Sequence, residues 1–268
     1  MNEKNSFLIN QLSFGFVTYK PSLNFKKRID LLTKKNIKIY IFENSDAEFS
    51  YPKENVKILG KKDNLGLGVG LFLIAREAIK DKKKYLFYLD QDTAINDKLT
   101  ETILFYQNFL EIKKEYLLVN LKQSITPIIQ ECVMPINSAT LFNLINLKKI
   151  GFHSKKIFLD GLDNELALRA RFFNYKLAKA SSFNTIDHGI EQGGIEIPFI
   201  KKTHALLKPY PFLRFRNILI IQFKLLILSL KNKDFLFTLL TARFLIAFIT
   251  LQLIVKLVLL VNNDIRDK

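Results

Sequence analysis

Over the first two thirds of the chain, short apolar runs alternate with longer stretches of helical spacing. Leu12–Thr18 is apolar and β-rich and stops at Tyr19-Lys20-Pro21-Ser22, which marks a first strand and a turn. The next stretch predicts a helix carrying Leu23, Ile29 and Leu32, with Lys26, Lys27 and Arg28 on its wet side. Ile37–Phe42 and Val56–Leu59 read as second and third strands, the former ending at Glu43-Asn44-Ser45-Asp46. Asp63–Gly70 then opens a helix through Leu73, Ile74, Glu77 and Ala78. Tyr85-Leu86-Phe87-Tyr88-Leu89 comes next, a run that suits a strand buried on both faces. Beyond it the pattern predicts a helix starting at Asn96 or Asp97, reaching about Lys114, with Leu99, Ile103, Tyr106 and Leu110 on one face. Tyr116–Asn120, Ile125–Ile129 and Ser138–Phe142 read as strands, and Leu144–Ile150 as a short helix closed by Gly151. Leu166, Ala170 and Phe173 recur at helical spacing before a last strand and Thr185-Ile186-Asp187-His188-Gly189. Strands alternating with helices predict an α/β domain with a mostly parallel sheet.

In such sheets ligands collect outside the carboxyl ends of the strands. The run at Tyr85 delivers Asp90-Gln91-Asp92 to that rim. Two carboxylates there suit a hard divalent cation that keeps positions open for phosphate oxygens. The plain alternative is a strand followed by an acidic turn. Gly66, Gly68 and Gly70 invite a dinucleotide reading, but G-x-G-x-G after the third strand departs from the G-x-G-x-x-G fingerprint in spacing and place. A glycine turn with positive φ and close backbone approach explains them as well, and a helix start still favours an anion. Asp160, Asp163 and Glu165 form a second acidic group, with Asp163 at or near a helix N-cap, where Asp is a preferred residue in its own right.

Composition changes the picture mainly at the far end. The net charge of +16 raises nucleic acid as a partner. Residues 201–268 hold eight Lys and four Arg against three Asp, a net +9 within the most apolar part of the chain. Cations set among aliphatic runs suit an anionic membrane surface better than a nucleic-acid groove, so no nucleic acid is expected. Phe244–Val255 falls short of a membrane span, whereas Phe244–Val261 reaches one if Lys256 is allowed. Helices lying in the interface are the expectation, and a dimerising or core-covering segment the alternative. Cys132, the one cysteine, excludes an internal disulfide and fits a reducing compartment, and Met1–Ser6 lacks the order of a signal peptide.

Taken together, Val17-Thr18-Tyr19, Glu43-Asn44-Ser45, Asn64-Leu65-Gly66, Leu89-Asp90-Gln91-Asp92-Thr93, Phe158–Arg171 and His188 resemble the ordered motifs of family 2 inverting glycosyltransferases. The likeness is greatest to the rhamnosyltransferase branch. It runs from Phe14 to His188, with a weaker echo at Pro211–Asn217. It implies a GT-A fold over residues 1–207, while composition makes residues 208–268 a basic, apolar helical tail. Thr18, Glu43, Asn44, Asn64, Gly66, Asp90 and Gln91 would bind the nucleotide-sugar. Asp92, Asp90 and His188 would hold Mn²⁺ or Mg²⁺. Asp163 would be the catalytic base, with Asp160 and Glu165 as supporting acids. Glu43 stands where the family more often has Asp, Phe72 where it has Asn, and Leu166-Ala167 where it has Trp-Cys. The implied reaction moves rhamnose from a dTDP-sugar to a lipid-linked saccharide on the cytoplasmic face of a bacterial inner membrane. The protein would be peripheral or monotopic there, with self-association through the C-terminal helices. A UDP-sugar donor, or a binding module without turnover, are the alternatives.

Overall fold

The computed structural model describes residues 3–46, 50–60, 63–187 and 209–266. The chain divides into two compact units, residues 1–189 and 190–268.

In the first unit the expected strands appear as β1 (Leu12–Thr18), β2 (Lys38–Glu43), β3 (Val56–Leu59) and β4 (Tyr85–Asp90). All pair in parallel, in the order β3-β2-β1-β4. The connecting helices are α2 (Leu23–Thr33), between β1 and β2, and α3 (Leu67–Lys80), between β3 and β4. β6 (Tyr116–Lys122), β7 (Ile129–Glu131), β8 (Thr140–Asn143) and β9 (Lys176–Ser181) extend the sheet to eight strands, order β3-β2-β1-β4-β8-β6-β9-β7. β8 runs antiparallel to β4 and β6, β7 antiparallel to β9, and β6 parallel to β9. The sheet is therefore mixed, with its parallel half carrying the polar strand ends. Parallel strands covered on both faces need apolar residues at every position, and β4 is buried throughout except at Asp90.

Several expectations shift by a few residues. α1 (Glu3–Gln11) had no clear periodic signal and packs Leu8 and Ile9 inward, with Gln107 Nε2 donating to Leu8 O at 2.9 Å. In α2 it is Phe25 that fills the core, in edge contact with Phe16, while Leu23 stays 81% exposed. Burying that ring is worth roughly 1.5–3 kcal/mol. Arg28 is half-buried and not on the wet side. The strand expected over Ile125–Ile129 begins only at Ile129, because Pro127 cannot donate to a ladder and Ile125 is exposed. α4 (Leu99–Ile112) starts after an Asx turn, in which Asn96 Oδ1 accepts from Lys98 N–H. Its four predicted inward residues are buried. A two-stranded ribbon, β5 (Ala94–Ile95) with β10 (Ile186–Asp187), was not visible in the sequence. α5 is Leu144–Ile150 and α6 Leu162–Phe172, and Phe173 sits exposed past the end of α6.

In the second unit, α7 (Phe212–Lys231) and α8 (Phe235–Arg266) pack against each other. α8 runs through Arg243 and Lys256 without a break. Its Phe235–Leu259 stretch, mean hydropathy 2.1, is long and apolar enough to cross a membrane by length and composition.

Candidate functional site

Three parallel strands end side by side, and their last residues bond across the rim. Thr18 Oγ1 donates to Glu43 Oε2 at 2.7 Å, and Ser45 N–H donates to Glu43 Oε1 at 2.9 Å. Glu43 is thus a buried brace behind the rim. Asn44 N–H donates to Thr18 O at 2.8 Å. The Asn44 side chain accepts from Leu65 N–H (2.7 Å) and Gly66 N–H (3.2 Å) and donates to Asn64 Oδ1 (2.8 Å). One asparagine after β2 therefore fixes the loop that opens α3.

The Asp90-Gln91-Asp92 turn is held from three sides. Tyr88 Oη donates to Asp90 Oδ1 at 2.8 Å, and Asp90 N–H donates to Ser138 Oγ at 3.2 Å. Burial, then the neighbouring Asp90, hold the Tyr88 phenol well above its ordinary pKa, so it remains a donor. The Gln91 amide pairs with the backbone of Tyr19, accepting at 2.8 Å and donating at 3.1 Å. Arg28 donates to Thr93 O at 2.7 Å and to Gln91 O, gripping the carbonyls on either side of Asp92. Burial lowers the Arg28 pKa and the charge on Asp92 opposes that shift. Tyr88, Ser138 and Arg28 had no separable signal in the sequence.

A cavity of about 390 Å³ collects Thr18, Asn44, Asn64, Gly66, Asp90, Gln91 and Asp92, together with Val17, Tyr19, Leu67, Tyr88, Phe158 and Leu159. Seven of the residues predicted to bind nucleotide or metal thus line one space. Among the described residues, no lysine, arginine or histidine lines it. A diphosphate would sit there against two carboxylates and no protein cation, so the donor set fits a bound divalent cation sharing its ligands with phosphate oxygens. Among the described residues, no group of three or more His, Cys, Asp or Glu could hold a metal alone. His188 lies outside the described residues. Its neighbour Asp187 pairs with Ala94 across the β5–β10 ribbon.

The second acidic group meets the first through the glycine-rich helix. Gly66 has φ +85°, and a Cβ there would fall 2.6 Å from Phe158 O and 2.6 Å from its ring. At Gly68 a Cβ would lie 2.3 Å from Ile157 O and 2.4 Å from Ser154 O. Leu67 N–H donates to Phe158 O at 2.6 Å. These glycines permit the close approach of the 154–158 loop, and Gly70 that of Val17 on β1. That loop leads to Gly161, the N-cap of α6 in the left-handed region, with Asp163 in the first turn. Asp163 is half-buried and accepts from Asn164 N–H at 3.0 Å. Burial raises its pKa, backbone donors lower it, and the charges of Asp160 and Asp90 raise it further. Asp90, Asp160 and Asp163 therefore share one electrostatic neighbourhood. Glu165 turns away to Arg169, with contacts of 2.9 and 2.7 Å. Arg169 in turn donates to the carbonyls of Ile150, the last residue of α5, and of Gly151 and Phe152 beyond it. Leu166 and Ala167 are core residues of α6, and Phe72 packs edge-on against Phe152.

No family model and no curated protein matches the sequence. Solved structures do match the fold. S. aureus TarS 1–349 aligns with a TM-score of 0.50 and 14% identity over 66% of this chain and 59% of its own length. The same protein in complex with UDP-GlcNAc gives 0.53 and 11% over 81% and 66%. GalNAc-T7 with UDP, GalNAc and Mn²⁺ gives 0.51 and 10% over 64% and 42%. The chain thus spans about three fifths of the first of these structures. At these identities the likeness is one of fold, and the fold is GT-A.

Proposed function

We propose that this GT-A chain is a metal-dependent, inverting glycosyltransferase that moves a sugar from a nucleoside diphosphate to an acceptor hydroxyl. The observation that carries this reading is the lining of the 390 Å³ cavity, which joins the strand-end polar residues to two carboxylates with no cation among the described residues. Asp90 and Asp92 would hold Mn²⁺ or Mg²⁺ with the donor's phosphates, and His188, which follows Asp187 of the β10 strand, is the proposed third protein ligand. A cation there supplies Lewis-acid stabilisation of the departing diphosphate. Thr18, Asn44, Asn64, Gly66 and Gln91 border the nucleotide, and Glu43 fixes Thr18 from behind. Asp163 takes the acceptor proton as the acceptor oxygen bonds to the anomeric carbon and the sugar–phosphate bond breaks. Its proximity to Asp160 and Asp90 favours proton uptake there. With one base and no protein nucleophile, the displacement is single and inverts the anomeric centre.

Within this reading dTDP-rhamnose is the first donor to test, on the Asp-Gln-Asp sequence, with a lipid-linked saccharide as acceptor. UDP-sugars are the second, because two of the matched structures are complexes, one with UDP-GlcNAc and one with UDP and GalNAc. The apolar α8 helix supports association of residues 208–268 with the cytoplasmic membrane, and its exposed leucines leave room for a second copy. The test is a melting-temperature panel of dTDP, UDP and GDP, each with and without Mn²⁺, since a ligand of the native state stabilises by RT ln(1 + [L]/Kd). One nucleotide should stabilise strongly and only with the metal. Absence of any metal-dependent shift across the panel would overturn the proposal.

A further inference from the structure

A second cavity, about 510 Å³, lies on the other side of Gln91 and Asp92. It is lined by Lys20, Lys27 and Arg28 as well as Ser22 and Asn24 at the start of α2. The two spaces share the Gln91–Asp92 segment. Their charge is opposite. Among the described residues, the charged groups of the first are carboxylates, whereas three cations face a single carboxylate, Asp92, in the second.

Of the three cations, Lys20 and Lys27 are exposed and Arg28 is half-buried. Arg28 is fixed by the Gln91 and Thr93 carbonyls and lies over the Phe25 ring at 5.9 Å, and its buried Nε meets no acceptor among the described residues. Lys20 lies over the Tyr19 ring at 5.7 Å, on a backbone with φ +50°. Ser22, the N-cap of α2, makes no side-chain capping bond, and its carbonyl accepts from Phe25 N–H at 3.0 Å. A fixed guanidinium and two ammonium groups around one cavity are donors that tetrahedral oxyanions take. Among the described residues, the first cavity offers a phosphate no cation and the second offers three.

We propose that the second cavity is an anion subsite for a phosphate group, placed beside the reaction centre to seat a phosphorylated acceptor. Its use by an acceptor rests on the transfer reading above, but its affinity for phosphate does not. A lipid-linked saccharide presents such a group, and so does an anionic headgroup under the protein.

The full chain in detergent is titrated with inorganic phosphate and with glucose 1-phosphate, by equilibrium dialysis, at low salt. Lys20→Gln/Lys27→Gln should weaken both at least tenfold, while Mn²⁺-dependent binding of the nucleoside diphosphate changes less than twofold. Lys113→Gln/Lys114→Gln, also exposed lysines, should leave phosphate binding unchanged. Saturating nucleoside diphosphate should not displace the phosphate. Vesicles with and without phosphatidylglycerol separate the two sources. An equal loss of vesicle binding in the Lys20/Lys27 variant assigns the site to a headgroup, and unchanged vesicle binding assigns it to the acceptor's own phosphate. Phosphate affinity within twofold of wild type, or one-for-one displacement by the nucleotide, would overturn the subsite. Phosphate binding retained in a protein that binds no nucleotide would instead overturn the transfer reading alone.

Discussion

Gly66→Ala is the most direct probe of how the two acidic segments are joined. Gly66 combines φ +85° with ψ 167°, a region open essentially to glycine, and an alanine held there costs of order 1–3 kcal/mol. The added methyl also meets Phe158 O, a backbone atom, at 2.6 Å. Moving Phe158 away breaks the 2.6 Å bond from Leu67 N–H, worth about 0.5–1.5 kcal/mol net. The two costs together make a loss of roughly 1.5–4.5 kcal/mol, or about 3–18 °C in melting temperature at 2–4 °C per kcal/mol. Because Phe158 lines the first cavity, Mn²⁺-dependent nucleotide affinity should fall at least tenfold as well. Gly68→Ala is the companion. Propensity alone makes it stabilising by ~0.8–1 kcal/mol inside a helix, but two carbonyls within 2.4 Å of the new Cβ make it destabilising. Melting is followed by circular dichroism and affinity by calorimetry. If Gly66→Ala melts within 2 °C of wild type and binds nucleotide equally well, the close approach of the two loops is not what holds them.

Asp163→Asn should cut turnover by roughly 10²-fold or more with donor affinity intact. The raised Asp163 pKa also sets a sign. The fold prefers the protonated acid, so its contribution to stability is present below the ordinary carboxylate pKa and is lost as pH rises through the raised value. Melting curves from pH 3 to 8 should therefore show Asp163→Asn gaining on wild type toward neutral pH, and a variant that loses ground on wild type over that range would contradict the burial argument. Glu165→Gln should act on stability, by about 1–3 kcal/mol, because it weakens the grip on Arg169 and hence on the carbonyls of residues 150–152. A large drop in turnover at an unchanged melting temperature would show that Glu165 acts on the substrate instead. Asp92→Asn should abolish metal-dependent nucleotide binding without unfolding the protein, as read by calorimetry with Mn²⁺. A chain ending at Leu207 should lose binding to anionic vesicles, and equal co-sedimentation with the full chain would remove the tail from membrane attachment.

The parallel half of the sheet was legible because strands buried on both faces leave continuous apolar runs, as at β1, β2 and β4. The strand-end residues were legible for the same reason: once the runs are bounded, the polar residues just past them fall on one rim. Long-range relations were not. The Gln91–Tyr19 amide pair and the Arg28 grip join positions more than 60 residues apart, and no local periodicity encodes them. The segment before β7 misled because Ile125–Ile129 has a strand's composition while Pro127 denies it the ladder. The glycine triplet resembled a phosphate loop because tight turns and tight helix contacts demand the same residue. Only its neighbours distinguish the two, and here they are the carbonyls of the acid-bearing loop.

The position of Phe158 has a practical consequence. The chain contains no tryptophan, so its ultraviolet emission comes from tyrosines alone. Phe158 is 54% exposed on the lip of the first cavity, with its carbonyl pinned to the start of α3. An indole in its place would be the molecule's single red-shifted fluorophore, beside the proposed donor space and on the stretch of backbone that leads to Asp163. Optical titration of that one variant would report donor entry without radiolabel, coupled enzyme or knowledge of the acceptor.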